Sequence, residues 1–142
     1  MEKLERVIFY ALDKCIKTYR QFAQRRFIEA GLDITIDQWL VLNAISEKPD
    51  LSQLEIAERV FKDASSVTRI IDLLIKKEYL QRETHEWDRR RFSLGLTKEG
   101  QAVMKKIAKV VEQNRAQALK EISEGQLLQM QQTLSLIIDN CK

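Results

Sequence analysis

From Leu4 to Leu74, and again from Val103 to Ile138, apolar residues return every three or four positions; between Leu80 and Leu96 the interval falls to two. An interval near 3.6 lines one face of a helix and an interval of 2 one face of a strand, so this pattern describes a helical chain with one excursion into strand. Punctuation agrees. Four glycines and one proline in 142 residues leave few turns and long helices, which argues against a sheet sandwich. The expected fold class is mainly α: four helices, a β-hairpin and two further helices.

Capping residues divide the pattern. The first helix carries Leu4, Val7, Ile8, Ala11, Leu12, Cys15, Ile16, Tyr19, Phe22, Ala23, Phe27 and Ala30, about seven turns ending at Gly31. Thr35, answered by Gln38 three residues on, opens a second helix that buries Trp39, Leu40, Leu42 and Ile45 before Pro49. Ser52 with Glu55 opens a short helix that stops near Phe61 and Lys62. Asp63 caps the next, which buries Val67, Ile70, Ile71 and Leu74 and leaves Ser65, Ser66, Thr68, Arg69, Asp72 and Lys76 on its other side or flanks. Leu80 to His85 and Phe92 to Leu96 read as strands joined by a charged loop. Thr97 caps a long helix that carries apolar residues from Val103 to Ile122, and Ser123 with Gln126 opens the last, which carries them from Leu127 to Cys141.

Several function classes drop out. The length suits one domain, residues 1–142, and no apolar run approaches the roughly 20 residues that cross a bilayer. MEKLERVIFYALDKCIK lacks the continuous apolar stretch of a secretory signal, so a cytoplasmic protein is expected, with no membrane partner. Cys15 and Cys141 have no metal-ligand spacing, and a reduced, buried pair is expected. His85 stands alone at a strand end; no metal site, no cofactor and no catalytic residue is expected, for want of a nucleophile with a nearby base or a glycine-rich phosphate loop.

Net charge is only +3, but its placement is informative. Arg59 to Arg91 holds nine basic and six acidic residues, and the remainder balances at 15 against 15, so the whole excess falls in the middle third. A polyanion would be met there. Two short helices joined by a tight turn and followed by a charged hairpin make a winged helix-turn-helix. The major groove of B-DNA, about 12 Å wide, admits one helix, and small polar side chains let its backbone approach the bases. Ser65, Ser66, Thr68 and Arg69 have that character; Lys76 follows on the same helix, and Arg89, Arg90 and Arg91 are candidates for the minor groove beside it.

The stretch LSQLEIAERVFKDASSVTRIIDLLIKKEYLQRE, with the wing Asp88, Arg90, Leu96, Thr97 and Gly100, resembles the MarR family of winged helix-turn-helix transcriptional regulators, and the likeness runs over nearly the whole chain. The resemblance implies a homodimer whose first, fifth and sixth helices interlock, two winged lobes reading a pseudo-palindromic double-stranded operator, Ser65, Ser66, Thr68 and Arg69 on the recognition helix, Arg90 in the minor groove, and Asp88 orienting the arginines. Residues 35–97 would be the DNA-binding lobe, 1–31 and 98–142 the dimerisation helices. One departure is plain: Glu78 stands where many relatives carry glycine, so a left-handed glycine cap is not expected after the recognition helix.

Plainer readings stand beside these. The Asp88 to Arg91 cluster also fits a self-paired solvated turn, the hydroxyls ordinary first-turn residues, and Trp87 either packs on its own hairpin or meets the sugar-phosphate edge. Cys15 invites comparison with a peroxide-sensing branch of that family, or simply fills its apolar stripe. Tyr19, Phe22 and Trp39 line either a cleft for a small aromatic acid or plain core. A ligand-responsive repressor is the function expected; the alternative is a winged-helix protein-protein interaction module without DNA binding.

Overall fold

The computed structural model describes residues 1–84 and 92–142; residues 85–91, with His85, Trp87 and the Asp88, Arg89, Arg90 and Arg91 cluster, lie outside the described residues. A short 3₁₀ turn at Leu4–Arg6 precedes α1 (Ile8–Glu29), α2 (Ile36–Glu47), α3 (Gln53–Val60), α4 (Ala64–Lys76), β1 (Leu80–Thr84), β2 (Phe92–Leu96), α5 (Lys98–Ala118) and α6 (Glu124–Asn140). The strands pair antiparallel, Leu80 opposite Leu96 and Thr84 opposite Phe92.

The caps read from the sequence set the boundaries. Thr35, Ser52 and Ser123 each complete a reciprocal capping box with Gln38, Glu55 and Gln126, a device worth about 1 kcal/mol per helix. Asp63 and Thr97 each accept the amide three residues on. At the end of α1, Gly31 takes φ 76° and the Leu32 amide donates to the Phe27 carbonyl at 3.0 Å, closing the helix in the left-handed manner glycine makes cheap.

The core lies where the last turns of α1 meet α2, α3, α4, the hairpin base and the first half of α5. Phe27, Leu42, Ile45, Ile56, Ile71, Leu74, Leu80 and Ile107 are its fully buried centre. Outside it the structure departs from expectation in four places. Extended Val7 separates the 3₁₀ turn from α1, so the first helix is not continuous from Leu4. The long helix ends at Ala118 rather than Ile122; Glu121 turns left-handed, and Leu119 and Ile122 are exposed. Cys15 and Cys141 are exposed, not buried: neither the outer turns of α1 nor α6 buries any residue fully within the chain. Lastly, Glu78 adopts φ 65° although it is not glycine, and the Tyr79 amide still donates to the Leu74 carbonyl at 3.0 Å.

That left-handed end of α4 is held by a junction of three elements. The Thr97 hydroxyl donates to the Glu78 carbonyl at 2.5 Å and accepts from the Gly100 amide at 2.9 Å, while the Thr97 amide donates to the Tyr79 carbonyl at 3.1 Å. The close approach requires glycine: a Cβ on Gly100 would stand 2.1 Å from the Tyr79 oxygen, a backbone atom that cannot swing aside. Gly100→Ala is therefore expected to cost about 1 to 3 kcal/mol of stability. A denaturant midpoint equal to the parent's would show that α5 does not need this contact.

Candidate nucleic-acid interface

Helix α3 ends at Phe61, φ 58°, where the Lys62 amide donates to the Ala57 carbonyl at 3.0 Å. Asp63 follows at once and starts α4. Its carboxylate accepts from the Ser66 amide at 2.7 Å and from the Ser65 hydroxyl at 2.8 Å. The Ser66 amide first, and then the Ser65 hydroxyl, hold the Asp63 carboxyl down at about 2.

Ser65, Arg69, Asp72 and Lys76 are exposed and fall at intervals of four, three and four, one stripe along the outer face of α4. The structure thus brings Ser65, Arg69 and Lys76 together. Ser66 is half-buried, its amide engaged by the cap. Thr68 is half-buried as well, with its hydroxyl 3.0 Å from both Gln53 Oε1 and the Ala64 carbonyl. Its single proton is engaged inside the motif, where it ties α4 to the start of α3.

An acid in the middle of such a stripe would repel phosphate. The Arg82 guanidinium of β1 lies 3.0 Å from the Asp72 carboxylate, which offsets that charge and fastens the hairpin to α4. A second ionic cluster braces the turn from behind: Asp37 at the start of α2 receives Lys62 at 3.0 Å and the Arg20 guanidinium of α1. Partial burial works against the Asp37 charge, but the hydrogen bonds of Lys62 and Arg20 outweigh it and hold the carboxyl below its ordinary value. Tyr79 donates to Asp33 at 2.7 Å, and its hydroxyl is pushed up to about 12 by desolvation and by that carboxylate. Gln53, Asp37 and Arg82 carry no local signal of these roles, since each acts on a partner 10 or more residues away.

Arg89, Arg90, Arg91 and Asp88 lie outside the described residues. Tyr19 and Phe22 line a cleft of about 690 Å³ between α1 and α5, together with Tyr10, Cys15 and Arg25. Trp39 is not part of it. Its ring meets Phe27 edge-on at 6.5 Å and lines a separate recess with Met104 and Val111. Among the described residues no group of three His, Cys, Asp or Glu side chains gathers for a metal, and no helix is long and apolar enough to cross a membrane.

The MarR family model matches residues 31–91. The HTH-type transcriptional regulator SarZ of Staphylococcus aureus is 31% identical over 104 residues, 72% of this chain, which spans 66% of the length of that relative. A Listeria innocua protein of unknown function is 31% identical over 94% of this chain and 91% of its own, with a TM-score of 0.71. Bordetella bronchiseptica BpsR, whose structure is described for regulation of its DNA binding by 6-hydroxynicotinic acid, superposes with a TM-score of 0.84 at 17% identity over 98% of each chain.

The cap that starts α4 titrates in acid. Because the folded pKa of Asp63, about 2, lies below its ordinary 3.8, its contribution is present above the ordinary value and is lost as pH falls towards 2. Asp37 acts in the same direction, so a control is needed: Asp63→Asn, which keeps a neutral cap, is expected to melt with a shallower pH dependence between pH 4 and pH 2 than the parent. Parallel profiles in circular-dichroism melts would remove Asp63 from this role.

Proposed function

The chain belongs to the MarR family, and from that premise we propose that it is a DNA-binding transcriptional regulator, a homodimer that reads a pseudo-palindromic double-stranded operator and acts as a repressor by occluding a promoter. The observation that carries this reading is the outer stripe of α4, where Ser65, Arg69 and Lys76 stand exposed and the one acid among them is paired with Arg82. Residues 35–97 form the DNA-binding lobe. Ser65 and Arg69 meet base edges, with Ser66 and Thr68 holding the helix that presents them; Lys76 meets phosphate, and Arg89, Arg90 and Arg91, oriented by Asp88, reach the minor groove. The reading is of a binding protein with no catalytic step and no cofactor, working in the cytoplasm.

Residues 1–31 and 98–142 supply the dimer contact. What supports this is uncovered apolar surface: Leu4, Ile8, Phe9 and Ile16 at one end of the chain and Leu128, Met130, Leu136 and Ile138 on α6 are all exposed, and α6 buries none of its 17 residues within its own chain. A capped helix with that composition is stable only against a partner surface. A second copy brings the same surface in mirror role.

The α1–α5 cleft is where a small aromatic acid would act, with Tyr19 and Phe22 for its ring and Arg25 for its carboxylate. One turn before the cleft-lining Gln117 and Ala118, Asn114 of α5 is buried with neither amide atom hydrogen-bonded among the described residues. Such a ligand shifts DNA binding only by the difference in its affinity for the DNA-ready and DNA-released spacings of the lobes.

Two measurements test the reading. Light scattering at micromolar concentration is expected to report a dimer, and a stable monomer would overturn the architecture. Gel shifts on DNA fragments enriched by the protein should lose roughly 10³ to 10⁵ in affinity between 50 and 200 mM salt, as for 6 to 10 neutralised phosphates. Flat salt dependence would favour the protein-protein interaction module instead.

A further inference from the structure

Phe61 is 93% exposed and left-handed, φ 58°, in the turn between α3 and α4. Both facts oppose a phenyl ring there. A left-handed residue with a Cβ costs about 1 to 2 kcal/mol that glycine avoids, and the ring leaves its apolar area in water. The turn does not need it: the Lys62 amide reaches the Ala57 carbonyl through backbone alone, and Asp63 then caps α4. An outlier of this kind, unexplained by packing, points to a function.

Its position names the partner. Leu54, 65% exposed, lies in the first turn of α3, and Phe61 follows its last residue. One flank of α3 reaches α2 through Arg59 and Glu47 at 3.3 Å; the other reaches α4 through Gln53 and Thr68 at 3.0 Å. Phe61 stands two residues before Asp63, the cap that starts α4, and four before Ser65, so its exposed ring lies beside the N-terminal turn from which the stripe of Ser65 and Arg69 begins. The cations beside the ring are paired, Arg59 with Glu47 at 3.3 Å and Lys62 with Asp37 at 3.0 Å, and the ring itself brings no charge. The part of a DNA strand that matches an uncharged apolar ring at the rim of a groove is the sugar between phosphates.

Resting on the function proposed above, we propose that Phe61 is a DNA-contacting residue, its ring lying against the deoxyribose at the rim of the major groove that α4 enters. This contact supplies affinity without sequence preference and without a counterion.

The test uses full-length protein and a duplex enriched by the parent protein from random-sequence DNA. Phe61→Gly and Phe61→Asn both suit the left-handed backbone, so their melting temperatures should equal or exceed the parent's. Their affinity for the duplex should fall about tenfold, the loss expected from roughly 50 Å² of ring left in water, while the slope of log affinity against log salt is unchanged because no cation is lost. Phe61→Leu should recover part of the loss. Parent affinity in both variants, with the parent itself binding in a salt-dependent way, would overturn the contact, assign the ring to a protein partner and leave the proposed function standing. A loss accompanied by a shallower salt slope would mean a displaced α4 and would also overturn it. Failure of the parent to enrich any duplex would overturn both readings.

Discussion

One hydroxyl and one missing side chain hold the winged lobe in shape. Thr97 bonds at once to the carbonyl that ends α4 and to the amide that starts α5, and the bare Cα of Gly100 lets α5 begin against the Tyr79 backbone. Every direction that matters for the outer face is set from this point. The left-handed turn at Glu78 aims β1 away from α4, Tyr79 and Lys77 reach Asp33 below, and Arg82 arrives beside Asp72. The strain at Glu78 is tolerated because its carbonyl, the Tyr79 amide and the Tyr79 carbonyl are all hydrogen-bonded there.

Electrostatics at the outer face works by cancellation as much as by attraction. The chain carries nearly as many acids as bases, and on the outer face of α4 and around the turn before it several of the acids are paired. Asp63 turns its charge onto the Ser66 amide and the Ser65 hydroxyl, Asp72 is met by Arg82, and Asp37 draws Lys62 and Arg20 together behind the turn. An exposed pair such as Asp72 with Arg82 adds little to stability by itself. The effect of such pairs is on geometry and on the sign of the local potential.

The two ends of the chain follow a different logic. The last turns of α1 are anchored by Phe27 and Ala23 in the core, yet its earlier turns and all of α6 bury no residue fully, and Ile8, Phe9, Leu128 and Leu136 stand exposed. A chain of this size has too little volume to shield helices of 22 and 17 residues as well as a winged lobe. The cleft lined by Tyr19 and Phe22 sits at the boundary between these regimes, on the helix that enters the core and beside its uncovered turns.

Helix starts were legible in the sequence because caps and boxes are local chemistry: Thr35, Ser52, Asp63, Thr97 and Ser123 begin helices for reasons contained within four residues. The hairpin was legible from its change of period, and the stripe of Ser65, Arg69 and Lys76 from the helical interval. What the sequence could not determine depends on residues far apart along the chain. The exposure of Cys15, the separation of Trp39 from Tyr19 and Phe22, the engagement of Thr68 by Gln53, and the neutralising of Asp72 by Arg82 follow from how helices pack, and periodicity carries no information about which neighbour a face will meet. Glu78 shows the same division: propensity argues against a left-handed glutamate, and only the Thr97 and Gly100 junction, assembled from the far side of the hairpin, makes that backbone the one that satisfies its hydrogen bonds.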